Sequence, residues 1–114
     1  MFQSSPSPAL KTPEKNETDH YMSQLINSLS ATIADRKANP TPESYTARLI
    51  AAGTGKIAQK VGEEAVELIV AALQESDERL VSEMADLFYH SLVLLAQRDL
   101  SWAEVEAELA RRFK

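Results

Sequence analysis

The apolar positions of this chain recur with the period of a helix, and no segment alternates as a strand would. The clearest pattern spans residues 56–98. Ile57, Val61, Ala65, Leu68 and Ala72 form one apolar flank, and Val66, Val70 and Leu73 cover another side. A polar break follows at Gln74-Glu75-Ser76-Asp77-Glu78. The pattern then resumes with Leu80, Met84, Leu87, Phe88, Leu92 and Leu95, backed by Tyr89, Val93 and Ala96. Two helices joined by so short a link fold back as an antiparallel hairpin. Helices that are apolar nearly all round are buried helices, so both flanks are expected to be covered.

Three shorter helices are predicted around the hairpin. The first starts at Thr18 or Asp19, either of which can cap it, and breaks at Ala38-Asn39-Pro40. Its apolar side carries Tyr21, Leu25, Leu29 and Ile33, with Met22 and Ile26 beside them. The second follows Thr41-Pro42, a cap with proline at the first helical position. It buries Tyr45, Leu49 and Ile50 and ends near Gly53, where Thr54 can cap the next helix. The last opens on the capping box Ser101-x-x-Glu104 and turns Trp102, Val105, Leu109 and Phe113 inward. The fold class is therefore all-α, a helical hairpin with flanking helices. Residues 1–18, with Ser4-Ser5-Pro6-Ser7-Pro8 and Thr12-Pro13, supply no packed face and read as a disordered N-terminal extension. Residues 19–114 form one domain. Its apolar faces exceed what one small chain covers, which predicts a homodimer whose hairpins join in a four-helix bundle.

Composition narrows the function classes. A net charge of -5 argues against a general nucleic-acid binder. There is no Cys, which excludes thiolate chemistry and a disulfide framework. No apolar run reaches membrane-spanning length, and the start lacks the unbroken apolar stretch of a signal peptide. The expected setting is cytoplasmic, with no membrane partner.

The acidic residues set into the hairpin carry the chemistry. Glu64-x-x-Glu67 and Glu83-x-x-Asp86 each place two carboxylates on one helix face. In an antiparallel hairpin, facing residues have numbers with one constant sum. Glu64 with Asp86 and Glu67 with Glu83 share the same sum, and its midpoint falls on Glu75, inside the break. Lys60 and His90 share it too. The pairs are therefore level, and four carboxylates converge. Lys56, Lys60 and Glu63 lie in the same arc of the first helix, and Arg79 and His90 in that of the second. Four bare carboxylates would repel one another and take up protons. A divalent cation removes that conflict. Oxygen-only ligands select Mg²⁺, with Mn²⁺ as the alternative, and carboxylate-held Mg²⁺ usually also holds phosphate oxygens. One E-x-x-E alone is ordinary on a solvated helix; two level pairs on an otherwise apolar hairpin are not.

Two glycine features bear on phosphate binding. Gly53-Thr54-Gly55 lacks the strand and spacing of a P-loop and reads as a helix joint. Gly62 sits inside the long helix at a cost of about 1 kcal/mol relative to Ala, which a close crossing or a ligand would explain.

Residues 20–114 closely resemble the phosphoribosyl-ATP pyrophosphohydrolases of histidine biosynthesis. The resemblance rests on Glu43-Ser44-Tyr45-Thr46 with Leu49, Lys60-Val61-Gly62-Glu63-Glu64-Ala65-x-Glu67, Glu83-Met84-Ala85-Asp86-Leu87-Phe88-Tyr89-His90 and Leu94-Leu95-Ala96. The acidic pairs alone mark only the wider all-α nucleoside-triphosphate pyrophosphohydrolase (MazG-like) superfamily. A house-cleaning enzyme of that superfamily is therefore the alternative. The resemblance implies an enzyme that hydrolyses phosphoribosyl-ATP to phosphoribosyl-AMP and pyrophosphate, the second step of the pathway. It implies Mg²⁺ on Glu64, Glu67, Glu83 and Asp86, neutralising phosphate charge and polarising a water. Glu63 or Glu64 is then the candidate base. Lys60, with Lys56 and Arg79, is the candidate phosphate contact, and His90 a partner that orients the Asp86 carboxylate. Arg36, Lys37, Arg48, Arg111, Arg112 and Lys114 are further cations available to a second phosphate.

Overall fold

The polar break closes in two residues. In the computed structural model, which describes residues 15–113, helix α3 (Thr54–Gln74) ends at Glu75 and α4 (Asp77–Gln97) starts after Ser76. The Ser76 side chain caps α4 by accepting from the Arg79 N–H at 3.2 Å. Asp77 and Glu78 in the first turn suit the positive end of the helix. The predicted turning point at Glu75 is where the chain reverses. The other helices are α1 (Lys15–Ala38), α2 (Tyr45–Ala52) and α5 (Trp102–Arg112). No strand occurs among the described residues, and the fold is all-α. No helix of the described residues is long and apolar enough to cross a membrane.

The core forms where α1 and α2 lie against the hairpin. Ile33, Leu49, Ile57, Leu92 and Val93 are buried together, with Leu29, Ile50, Phe88 and Trp102 packed around them. Ile57 and Val93, at matching levels of the hairpin, are wholly buried. Each such side chain stabilises the fold by about 1.5–3 kcal/mol relative to exposure. Lys37 ties the end of α1 to the end of α4: its ammonium donates to the Ala96 carbonyl and pairs with Asp99, both at 2.9 Å. This commits one of the cations reserved for phosphate. Asp99 takes the left-handed conformation (φ 58°) that closes α4, with Leu100 N–H donating back to the Leu95 carbonyl at 2.8 Å.

Several expectations need correction. Helix α1 starts at Lys15, ahead of Thr18, so its first turn takes in residues 15–18 of the expected extension; residues 1–14 lie outside the described residues. The cap of α2 is Ser44, whose Oγ accepts from the Ala47 N–H at 3.1 Å. Thr41 instead turns the chain, its carbonyl accepting from Ser44 N–H at 3.2 Å. Thr54 is helical and caps nothing; Gly53, at φ 99°, makes the joint because only glycine adopts that conformation without strain.

The largest correction concerns burial. Tyr21, Met22 and Leu25 on α1 are exposed, as are Val66, Ile69, Val70 and Leu73 on α3 and Val81 and Met84 on α4. Leu73 is 77% exposed and Phe113, expected to face inward on α5, is 76% exposed. Helix α5 touches the core mainly through Trp102, which packs edge-on against Phe88 with ring centroids 5.0 Å apart. The apolar faces read from the sequence exist, but the described residues do not cover them.

Candidate active site

Three of the four carboxylates meet. Glu64, Glu83 and Asp86 each offer an oxygen, and these oxygens lie within 4.8 Å of one another. Glu64 and Glu83 are buried, at 6% and 3% exposure, whereas Asp86 faces solvent. The reason is the seam between the helices. On α3 the buried residues Ile57, Glu64 and Ala71 recur every seven, as do Glu83 and His90 on α4. A seven-residue repeat keeps one line of a helix against its partner. Glu67 and Asp86 lie three residues on from Glu64 and Glu83, about 60° round the helix from that line, and both are exposed. Glu67 stands outside the tight group, close enough for its carboxyl to bear on that of Glu83 electrostatically.

The electrostatics show what the group lacks. Burial, then the neighbouring Glu67 carboxyl, pushes the Glu83 carboxyl above its ordinary pKa; Arg79 opposes this, and the charge of Asp86 adds to it. One oxygen of Glu64 and one of Glu83 are buried with no hydrogen-bond donor. Buried carboxylate oxygens without a donor are costly. A hard dication fits here, since the donor set is all oxygen and the unpartnered atoms belong to two of the three converging groups.

The raised Glu83 pKa has a measurable sign. Folded protein binds this proton more tightly than unfolded protein does. The associated stability is full below the ordinary carboxylate value and is lost as pH rises through the raised folded value. Metal-free wild-type protein should therefore lose melting temperature as pH climbs from about 4.5. Glu83→Gln should flatten that slope, and melting curves of both proteins across pH 4–8 in chelator decide it. An equal slope in the two would reject the assignment.

The basic and neighbouring residues are placed as follows. Arg79 hydrogen-bonds Glu83 and lies 3.5 Å from Glu75, so its guanidinium balances a site carboxylate where a free phosphate contact was expected. Lys60 lies 3.5 Å from Glu63 and 3.9 Å from Glu64. Its pKa is raised first by the neighbouring Tyr45 phenol, against burial, and then by Glu63 and Glu64. Lys56 is exposed on the same helix. Glu63 is exposed and outside the trio; the Gln59 amide donates to it at 2.9 Å and, with Lys60, lowers its pKa. Beside Glu63 and Glu67 a shallow hollow opens over Gly62 and Val66, and among the described residues nothing beyond the neighbouring turns of α3 lies within 4 Å of where a Gly62 side chain would begin. No crossing among the described residues explains that glycine.

His90 does not orient the Asp86 carboxylate. It is buried, and its Nδ1 lies 2.8 Å from the main-chain oxygen of Asp86. Helical residues four apart stack this way, and the side chain points back along the helix. Its Nε2 meets the hydroxyl of Tyr45 at 2.9 Å. From spacing alone Tyr45 reads as a core ring, and its hydroxyl contact with His90 is not visible in the sequence.

Comparison with known proteins gives one family. The model of the phosphoribosyl-ATP pyrophosphohydrolase family matches residues 26–113. A phosphoribosyl-ATP pyrophosphatase of Metallosphaera sedula is 53% identical over 93 residues, which cover 82% of this chain and all of that protein. The protein of that name from Paramagnetospirillum magneticum is 54% identical over 79% of this chain and 83% of its own length. Its counterpart from Pyrobaculum aerophilum is 54% identical over 80% of this chain and 97% of its own. A family match over most of the chain, with relatives above half identical, leaves no second assignment: this chain is a member of the phosphoribosyl-ATP pyrophosphohydrolase family.

Proposed function

We propose that this protein hydrolyses phosphoribosyl-ATP to phosphoribosyl-AMP and pyrophosphate, the second step of histidine biosynthesis, with Mg²⁺ as cofactor. The observation that carries the reading is the meeting of Glu64, Glu83 and Asp86, with two buried oxygens lacking donors, in a chain of this family. Those three residues would hold the ion, with Glu67 at the edge; Mn²⁺ is the alternative occupant. The bound ion supplies charge neutralisation for the triphosphate and polarises water. Lys60 sits at the rim beside Glu63 and Glu64, where an ammonium contributes a point charge for phosphate oxygens. Glu63 is outside the trio and ionised at neutral pH, so it is the carboxylate available to take a proton from the attacking water. Its low pKa limits its strength as a base. Glu64 is committed to the ion.

The site works as part of a homodimer in this reading. The exposed Val66, Ile69, Val70 and Leu73 continue from the hollow at Gly62 along one side of α3. A second copy laid there closes the open side next to Glu63 and Glu67.

Substrate choice tests the function. Carboxylates and a dication handle any triphosphate, so discrimination must come from contacts to the base and to the ribose phosphate on the adenine. A substrate lacking that group leaves polar site groups unpaired. Phosphoribosyl-ATP should be hydrolysed with kcat/KM at least about a hundredfold above ATP or any deoxynucleoside triphosphate, which needs roughly 2.7 kcal/mol of differential transition-state binding. Phosphorus NMR of the products should show one intact pyrophosphate. Turnover of dCTP or dUTP with none of phosphoribosyl-ATP would move the protein to the house-cleaning branch of the superfamily.

A further inference from the structure

A buried histidine with both nitrogens engaged links α2 to the acidic site. The main-chain oxygen of Asp86 can only accept, so His90 Nδ1 carries the proton toward it. In the neutral ring Nε2 is then an acceptor, and the Tyr45 O–H donates to it. The bonds run in one direction, from Tyr45 to His90 to Asp86. Tyr45 is 44% exposed, so its own burial does not demand this partner. The ring is fixed all the same, edge-on to His90 with centroids 5.9 Å apart. Next to it, the Thr46 and Tyr89 hydroxyls make a second hydrogen bond between the same two helices.

We propose that Tyr45 is a positioning residue of the acidic site. Through His90 it fixes the turn of α4 that presents Asp86. One phenol on α2 thereby holds in place the turn of α4 that carries a metal-holding carboxylate. The inference rests on the metal-dependent reading of the site given above.

The test is Tyr45→Phe, which removes one oxygen and keeps the ring, with His90→Asn as its companion. Asparagine retains an N–H for the Asp86 carbonyl but is too short to reach Tyr45. Four quantities are measured: kcat and KM for phosphoribosyl-ATP, Mn²⁺ affinity of the substrate-free protein by paramagnetic resonance, and melting temperature. Tyr45→Phe should lower kcat about tenfold and weaken Mn²⁺ binding severalfold, with KM changed less than about twofold. His90→Asn should do the same, and the double variant should be no worse than either single one, since all three break the same link. Multiplying losses in the double variant would show that Tyr45 acts without His90 and overturn the proposal. So would a raised KM at unchanged kcat, which marks direct substrate contact, or a lowered melting temperature with kcat and Mn²⁺ affinity intact. Should His90→Asn not fold, the Tyr45→Phe values of kcat and Mn²⁺ affinity decide alone. Wild-type protein that neither binds Mn²⁺ nor turns over phosphoribosyl-ATP overturns the functional reading and this inference with it. A working wild type with an unaffected Tyr45→Phe overturns this inference only.

Discussion

Glu64→Gln, Glu83→Gln and Asp86→Asn are each expected to lower kcat about a thousandfold at saturating Mg²⁺ while the helical content stays unchanged. Each substitution preserves shape and removes one negative charge from a group whose oxygens lie within 4.8 Å of one another. The loss falls on the step where phosphate charge must be balanced, so kcat suffers and extra Mg²⁺ restores little. Glu67→Gln should cost less, because Glu67 stands outside the trio and acts on it through Glu83. Metal-free stability should move the other way. Glu64 and Glu83 are buried carboxylates with an oxygen lacking a donor, and replacing either with a neutral amide removes an ion that burial disfavours. Higher melting temperature in chelator with lost turnover in Mg²⁺ would separate a functional charge cluster from a structural one. Near-normal turnover by all three variants would sink the site assignment.

The hairpin and its register were legible because they depend on number alone. Helical spacing, a polar break and level acidic pairs are properties of the sequence that no distant contact can alter, and the chain reverses at Glu75 as they require. Which carboxylate lies deepest was harder. Glu64 and Glu67 look alike in a triplet pattern. The seven-residue line Ile57, Glu64, Ala71 distinguishes them, and it becomes visible once the partner helix is in place. The cap of α2 was misplaced because Thr41-Pro42 and Ser44 both offer a hydroxyl, and only the packed backbone decides which reaches a free N–H. Tyr45 was hidden for another reason. Its spacing marks a ring for the core, while its hydroxyl answers a histidine 45 residues away.

The same limit applies to faces. Periodicity tells which side of a helix is apolar but not which molecule covers it. Leu49 and Val70 read alike in the sequence; the chain buries the first and leaves the second partly open. Among the described residues, α1, α2 and α5 do not wrap both sides of a hairpin of two 21-residue helices. What they leave bare on α3 is a stripe, Val66, Ile69, Val70 and Leu73, with Val81 and Met84 bare on α4.

Ile69→Asp turns that stripe into a test of assembly. In a two-fold interface every substitution acts twice, once from each copy. Leaving an isoleucine unburied forfeits about 2 kcal/mol, so the dimer loses about 4 kcal/mol and its dissociation constant rises roughly a thousandfold. The single chain should hardly notice, because Ile69 is already more than half exposed in it. The variant should therefore keep its helical signal, sediment as a monomer at micromolar concentration, and melt at a temperature that no longer depends on protein concentration. Wild-type protein should sediment as a dimer under the same conditions, with a melting point that rises with concentration, because association stabilises only the folded chain. A monomeric wild type, or a variant that dimerises as tightly as wild type, would show that the second copy does not cover this face.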